Sequence, residues 1–109
     1  MLLNPADLVS TMVSAAKGSL GTDWIKVATY AESEFERLAA SLANIAKLVA
    51  DKRISGQEAE SLLRIHRNTT MTVMLTVEGM GIIAVETAIN AALGAVKDLV
   101  NGAAGVRIL

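Results

Sequence analysis

The strongest constraint on the fold is a run of apolar residues that recur at steps of four and three. This spacing places them on one face of an α-helix, and a run of about four heptads is typical of a coiled-coil seam. Thr22 and Asp23 precede the run with the chemistry of helix caps, which predicts a helix over about residues 23–51. The members of this first stripe are Trp24, Ala28, Ala31, Phe35, Leu38, Leu42, Ile45 and Val49.

Two further helices are predicted on either side of this one. Asn4 and Pro5 have the chemistry of an N-cap and a first helical residue, which predicts a helix over about residues 5–17 that ends at Gly18. Ser55 and Glu58 have the spacing of a capping box, which predicts a third helix over about residues 56–100. A second stripe on that helix consists of Ile82, Val85, Ile89, Ala92, Val96 and Leu99.

The weakest part of the third helix is residues 68–81, which contain several threonines together with Gly79 and Gly81. These residue types are poor helix formers. A β-strand over about 70–77 is the competing interpretation, and it is disfavoured because a single strand has nothing to pair with. We therefore predict a helix in which 68–81 permits a kink. An irregular apolar tail over 102–109 should dock on another surface, such as a second subunit.

The short connection near residues 52–54 predicts that the second and third helices form a long antiparallel, coiled-coil-like hairpin. In the expected register Ala28 faces Gly79 and Ala46 faces Ser61, and these small residues permit close approach. The third helix would keep uncovered apolar surface, so we expect homo-oligomerisation into a helical bundle to cover it. The prediction is a single all-α domain over residues 1–109.

Composition argues against several classes of function. Ten basic and eleven acidic residues leave a net charge of −1, which does not supply the basic field that nucleic-acid binding needs. The chain has no cysteine for disulfides or thiolate chemistry, and its 3% aromatic content predicts an aliphatic core. Residues 1–5 lack the pattern of a signal peptide, which predicts a cytoplasmic protein or a component of a particle assembled in the cytoplasm.

Glu78 is the most informative polar residue, because the second stripe extended backward places it on the core-facing side near Lys26. A buried carboxylate needs a partner or a polar channel. Three roles stay open: a buried ion pair with Lys26, a position at an interface or channel, and metal ligation. His66 is the only histidine, and it is predicted to be a partly exposed surface residue between two cationic neighbours.

The sequence assigns no catalytic, cofactor-binding or metal-binding residue and predicts no enzyme activity. We expect a structural or interaction protein that associates with itself and with other assembly proteins, as in a virion or a secretion apparatus. A first alternative is a metal protein whose site forms in the oligomer. Its carboxylates resemble part of the ligand set of ferritin-like di-iron proteins, although the chain has no Glu-x-x-His motif. These carboxylates are Glu32, Glu36, Glu78 and Glu86.

A second alternative is a membrane-active helical protein. Residues 71–85 form an apolar run, but Glu78 interrupts it. A membrane-spanning helix needs about 20 predominantly apolar residues. A central glutamate makes insertion costly, so a stable spanning segment is disfavoured.

Overall fold

A computed structural model describes residues 3–109, so Met1 and Leu2, on which the signal-peptide prediction partly rests, lie outside the described residues. Within residues 3–109 the protein is all-helical and has no strand, which confirms the all-α prediction and excludes the strand over 70–77. The elements are α1 (Pro5–Leu20), a single 3₁₀ turn (Gly21–Asp23), α2 (Trp24–Ala50), α3 (Gly56–Leu75) and α4 (Ile82–Ala104).

Helix α1 begins as predicted and ends later than predicted. Asn4 is the N-cap, and its side chain accepts a hydrogen bond of 3.0 Å from the backbone of Ala6. Gly18 lies inside the helix, and the chain reverses at Gly21, whose φ of 58° disfavours side chains. Asp23 does not cap α2; its carboxylate instead pairs with Lys26 at 3.2 Å.

Helix α2 buries every member of the predicted first stripe except Ala28, which is half-buried. Val27 is fully buried beside it. Helix α2 ends in a Schellman motif, in which Lys52 adopts a φ of 61°. Arg53 N donates to Leu48 O, and Lys52 N donates to Val49 O, both at 2.9 Å.

The prediction of a single helix over 56–100 is wrong, because residues 76–81 form a turn that separates α3 from α4. Gly79 has a φ of +86° and Gly81 is extended, so neither residue continues the helix. An unbroken helix would span roughly 65–70 Å. The longest dimension of the molecule is 42 Å.

The four helices pack on one another: α1 contacts α2 and α4, and α2 also contacts α3 and α4. Helix α4 returns along α1 and α2, whereas α3 packs chiefly on α2. In the second stripe, Val85, Ile89, Ala92 and Val96 are buried, but Ile82 and Leu99 are exposed. Val100 is buried in place of Leu99, because a straight helix repeats every 3.6 residues and drifts away from a strict heptad.

The tail docks on its own chain. Helix α4 continues to Ala104, and Gly105 ends it with a φ of 79°. The side-chain oxygen of Asn101 accepts hydrogen bonds from the backbone of Ile108 and of Leu109, both at 2.9 Å. Ile108 is buried, so the apolar end of the chain belongs to the core.

We predict that Gly79→Ala lowers the free energy of unfolding by about 1–2 kcal/mol, since a side chain disfavours this left-handed backbone. Gly94→Ala is the matched control, because Gly94 lies inside α4 with open space around its Cα. This change should raise the free energy of unfolding by about 0.5–1 kcal/mol. Urea unfolding of both variants is the measurement, and equal shifts in the same direction would contradict the assigned turn.

The capping box predicts a pH dependence of stability. Hydrogen bonds from the backbone and then the side chain of Ser55 lower the pKa of Glu58 from 4.5. The stabilisation is therefore complete above the ordinary glutamate pKa and is lost as the pH falls through the lowered value. Glu58→Gln should be less stable than the parent at neutral pH, and the difference should shrink at about pH 2.5. Glu60→Gln is the control, and urea unfolding is the measurement. An equal and equally pH-dependent loss of unfolding free energy in this control would contradict the role of the capping box.

Candidate functional site

Glu34 is the buried carboxylate of the described residues, with only 4% of its surface exposed. Arg37 donates to its Oε2 at 3.1 Å, while its buried Oε1 has no hydrogen-bond partner within residues 3–109. A buried acceptor without a partner lowers stability. The sequence interpretation missed Glu34, although its place three residues after Ala31 and four before Leu38 fits the first stripe.

Glu78 does not face the core, and this prediction is wrong. The residue is exposed in the turn between α3 and α4, because the backward extension of the second stripe assumed an unbroken helix. Lys26 pairs with Asp23 and not with Glu78. A Cβ on Gly79 would lie 3.7 Å from Lys26 Nζ, so this glycine serves the turn and not the predicted contact with Ala28.

Ser41 and His66 meet between α2 and α3, with 3.4 Å between Ser41 Oγ and His66 Nδ1. The contact has the same register as the predicted pairing of Ala46 with Ser61. Ala46 lies five residues after Ser41, and Ser61 lies five residues before His66. Ser41 Oγ also donates to Arg37 O at 3.1 Å, so its proton is already engaged. Neither ion pair of residues 3–109 involves His66. The pair therefore lacks the orienting acid of a nucleophilic triad and functions as a helix–helix contact.

The carboxylates considered as metal ligands are all exposed; they are Glu32, Glu36, Glu78 and Glu86. Within the described part of the chain, no three or more acidic or histidine side chains form a group that could hold a metal ion. A site shared between copies stays a prediction. Over the same residues, no helix combines the length and the apolar character that crossing a membrane requires.

The outward face of α3 carries a third stripe with steps of three and four, and every member is exposed. Helix α3 buries only four of its 20 residues. Ile65 is 61% exposed. Covering such an apolar side chain with another protein surface is favourable, because it removes apolar area from water. We call this set the outer stripe; it consists of Leu62, Ile65, Thr69 and Thr72 on α3 and of Thr76 at its C-cap.

The threonines of the outer stripe present methyl groups rather than free hydroxyls. Thr69 Oγ1 donates to Ile65 O at 3.0 Å, and Thr72 Oγ1 donates to Asn68 O at 2.9 Å. Thr76 Oγ1 donates to Val73 O at 2.6 Å. Because the hydroxyl protons are engaged within α3, the outer stripe is more apolar than its composition indicates.

Comparison with models of known protein families, with curated proteins and with solved structures finds no match to this chain. Function therefore has to follow from the side chains described above. Glu34 and the Ser41–His66 contact lie between helices of one chain. The outer stripe, by contrast, presents an ordered apolar surface to the outside.

We predict that Glu34→Leu raises the free energy of unfolding by about 1 kcal/mol, because it removes a buried acceptor that has no partner. The matched control is Glu32→Leu on the exposed face of α2, which should change stability by less than about 0.5 kcal/mol. Urea unfolding is again the measurement. A loss of stability in Glu34→Leu alone would show that the carboxylate has a favourable partner in solution.

Proposed function

We propose that the protein is a non-enzymatic helical interaction protein that self-associates through the outer stripe of α3. The supporting observation is the stripe itself, in which five exposed residues keep the spacing of a coiled-coil seam. A seam of this kind is stable when a second helix covers it, because packing removes its apolar groups from water.

An antiparallel pairing of two α3 helices fits the sizes of the side chains. With Thr69 at the two-fold axis, Leu62 of one copy meets Thr76 of the other, and Ile65 lies beside Thr72 and Val73. The large residues Leu62 and Ile65 thus lie beside smaller ones, and only the two copies of Thr69 at the centre place small on small. A two-fold contact of this kind is self-complementary and closes as a dimer.

The charges of α3 support the same orientation. Glu58 lies one turn before Leu62, at the start of the stripe, and its carboxylate accepts a hydrogen bond from Ser55 N at 3.0 Å. In a parallel pair the two Glu58 side chains would be neighbours and would repel each other. In the antiparallel pair they lie at opposite ends of the interface, separated by about 33 Å along the helix axis.

We further propose that α2 and α3 act in the assembly as the close-packed hairpin expected from the sequence. The five-residue connection 51–55 and the Ser41–His66 contact support this arrangement. The hairpin holds the inner face of α3 and leaves the outer stripe free for a second copy. A cytoplasmic origin and membership of a larger particle stay predictions from the sequence.

The test is Ile65→Lys, which places a charge within the stripe and should weaken dimerisation at least about tenfold, since a desolvated cation opposes the contact. The matched control is Ile25→Lys on α2, where the side chain is 85% exposed and distant from α3 in sequence. This variant should dimerise like the parent. Sedimentation analysis measures the dissociation constant, and circular dichroism checks that both variants are folded.

Native mass spectrometry of the protein purified without chelator distinguishes the metal alternative. A metal-free dimer that Ile65→Lys converts to a monomer would support the proposal. A monomeric parent, or an Ile65→Lys variant that dimerises like Ile25→Lys, would refute it. Bound transition-metal ions that are lost on mutation of Glu32 and Glu36 would favour the carboxylate site instead.

A further inference from the structure

A groove lies between α3 and α4, on the side of α3 away from the outer stripe. It arises because these two helices share only a small contact, and Leu38 and Leu42 of α2 lie beneath it almost fully buried. The cavity has a volume of about 410 Å³, within the range of small-ligand sites. Its apolar lining consists of Leu38 and Leu42 from α2, Leu63 from α3, Leu93 from α4, and Ile108 and Leu109 from the tail.

One edge of the groove is cationic. Glu60, Arg64, Arg67 and Asn68 line this edge, so two guanidinium groups and one carboxylate leave a net charge of +1. Neither arginine takes part in an ion pair of residues 3–109. Arg67 is positioned across the groove, since its Nη2 donates to Asn90 Oδ1 at 2.8 Å. The guanidinium groups therefore have hydrogen-bonding capacity left for an external anion.

We propose that this groove binds a free single-chain amphiphile with a carboxylate head, such as a medium-chain fatty acid. The alkyl chain lies against Leu93 and Leu109, the partly exposed apolar residues of the lining, where its transfer from water is favourable. The carboxylate accepts hydrogen bonds from Arg64 and Arg67, because a planar guanidinium matches a carboxylate in a two-point contact. An unpaired arginine edge beside an apolar cavity favours this class over a neutral apolar molecule.

The dimensions of the groove favour a small molecule over a helix of another protein. The docked tail closes one end with Ile108 and Leu109. The edge from Glu60 to Asn68 spans about 12 Å of helix, which is short for a helical partner. No member of the outer stripe lines the groove, so this proposal does not depend on the proposed self-association.

The experiment is calorimetric titration of the full chain with decanoate below its micelle concentration, with neutral decanol as the comparison probe. We expect decanoate to bind about threefold to tenfold more tightly than decanol, because its carboxylate gains charged hydrogen bonds. Arg64→Gln and Arg67→Gln should each remove most of that preference. Arg53→Gln, an exposed arginine in the α2–α3 connection, is the matched control and should bind like the parent.

The Ile65→Lys variant separates this proposal from the proposed function, because it should retain decanoate binding even when it is monomeric. Equal decanoate affinity in Arg64→Gln, Arg67→Gln and Arg53→Gln would overturn the assignment. So would amide shifts on decanoate binding that map to α1 rather than to α3 and α4. The protein could instead sediment together with vesicles that contain phosphatidylglycerol, and Arg64→Gln and Arg67→Gln could abolish this binding. That result would assign the cationic edge to a membrane surface.

Discussion

The reversal of the chain at residues 76–81 turns α4 back along α1 and α2, and the packing of the molecule depends on it. Helix α4 buries eight residues, among them Val85, Ile89 and Val96. In one long helix much of this face would have extended beyond the end of α2 without cover. With the reversal, α1 covers it within the same chain, and the remaining uncovered stripe lies on α3. The uncovered apolar surface that favours self-association therefore lies on α3 and not on α4.

Much of the fold could be predicted because local chemistry acts on its own. The first stripe of α2 predicts seven of its buried residues, since amphipathic spacing alone decides which face is covered. The caps at Asn4 and Ser55 form as expected, because each needs only a side-chain oxygen a few residues from a free backbone donor. The misplaced residues Ile82 and Leu99 follow from the difference between a heptad and a straight helix.

The remaining features depend on contacts between residues far apart in the chain. Glu78 is exposed because α3 ends before it, at Leu75. The β-branched residues near this end are poor helix formers, so a helix and a turn are close in free energy there. Glu34 is the exception, because its spacing fits the first stripe of α2 and only its charge assigned it to the polar face. The docked tail depends on Asn101, whose side chain holds the backbone of Ile108 and Leu109. The groove and the outer stripe could not be recognised before α3 was known to be a separate helix.

Helix α3 carries both proposed surfaces, and its packing explains why. It buries four residues against eleven for α2, so few apolar contacts fix its position. Elements with few buried contacts lie at the low end of local stability and move most readily. The groove separates α3 from α4 on one side, and the outer stripe faces water on the other. Because the two proposed surfaces use different side chains of this helix, a change in one leaves the residues of the other in place.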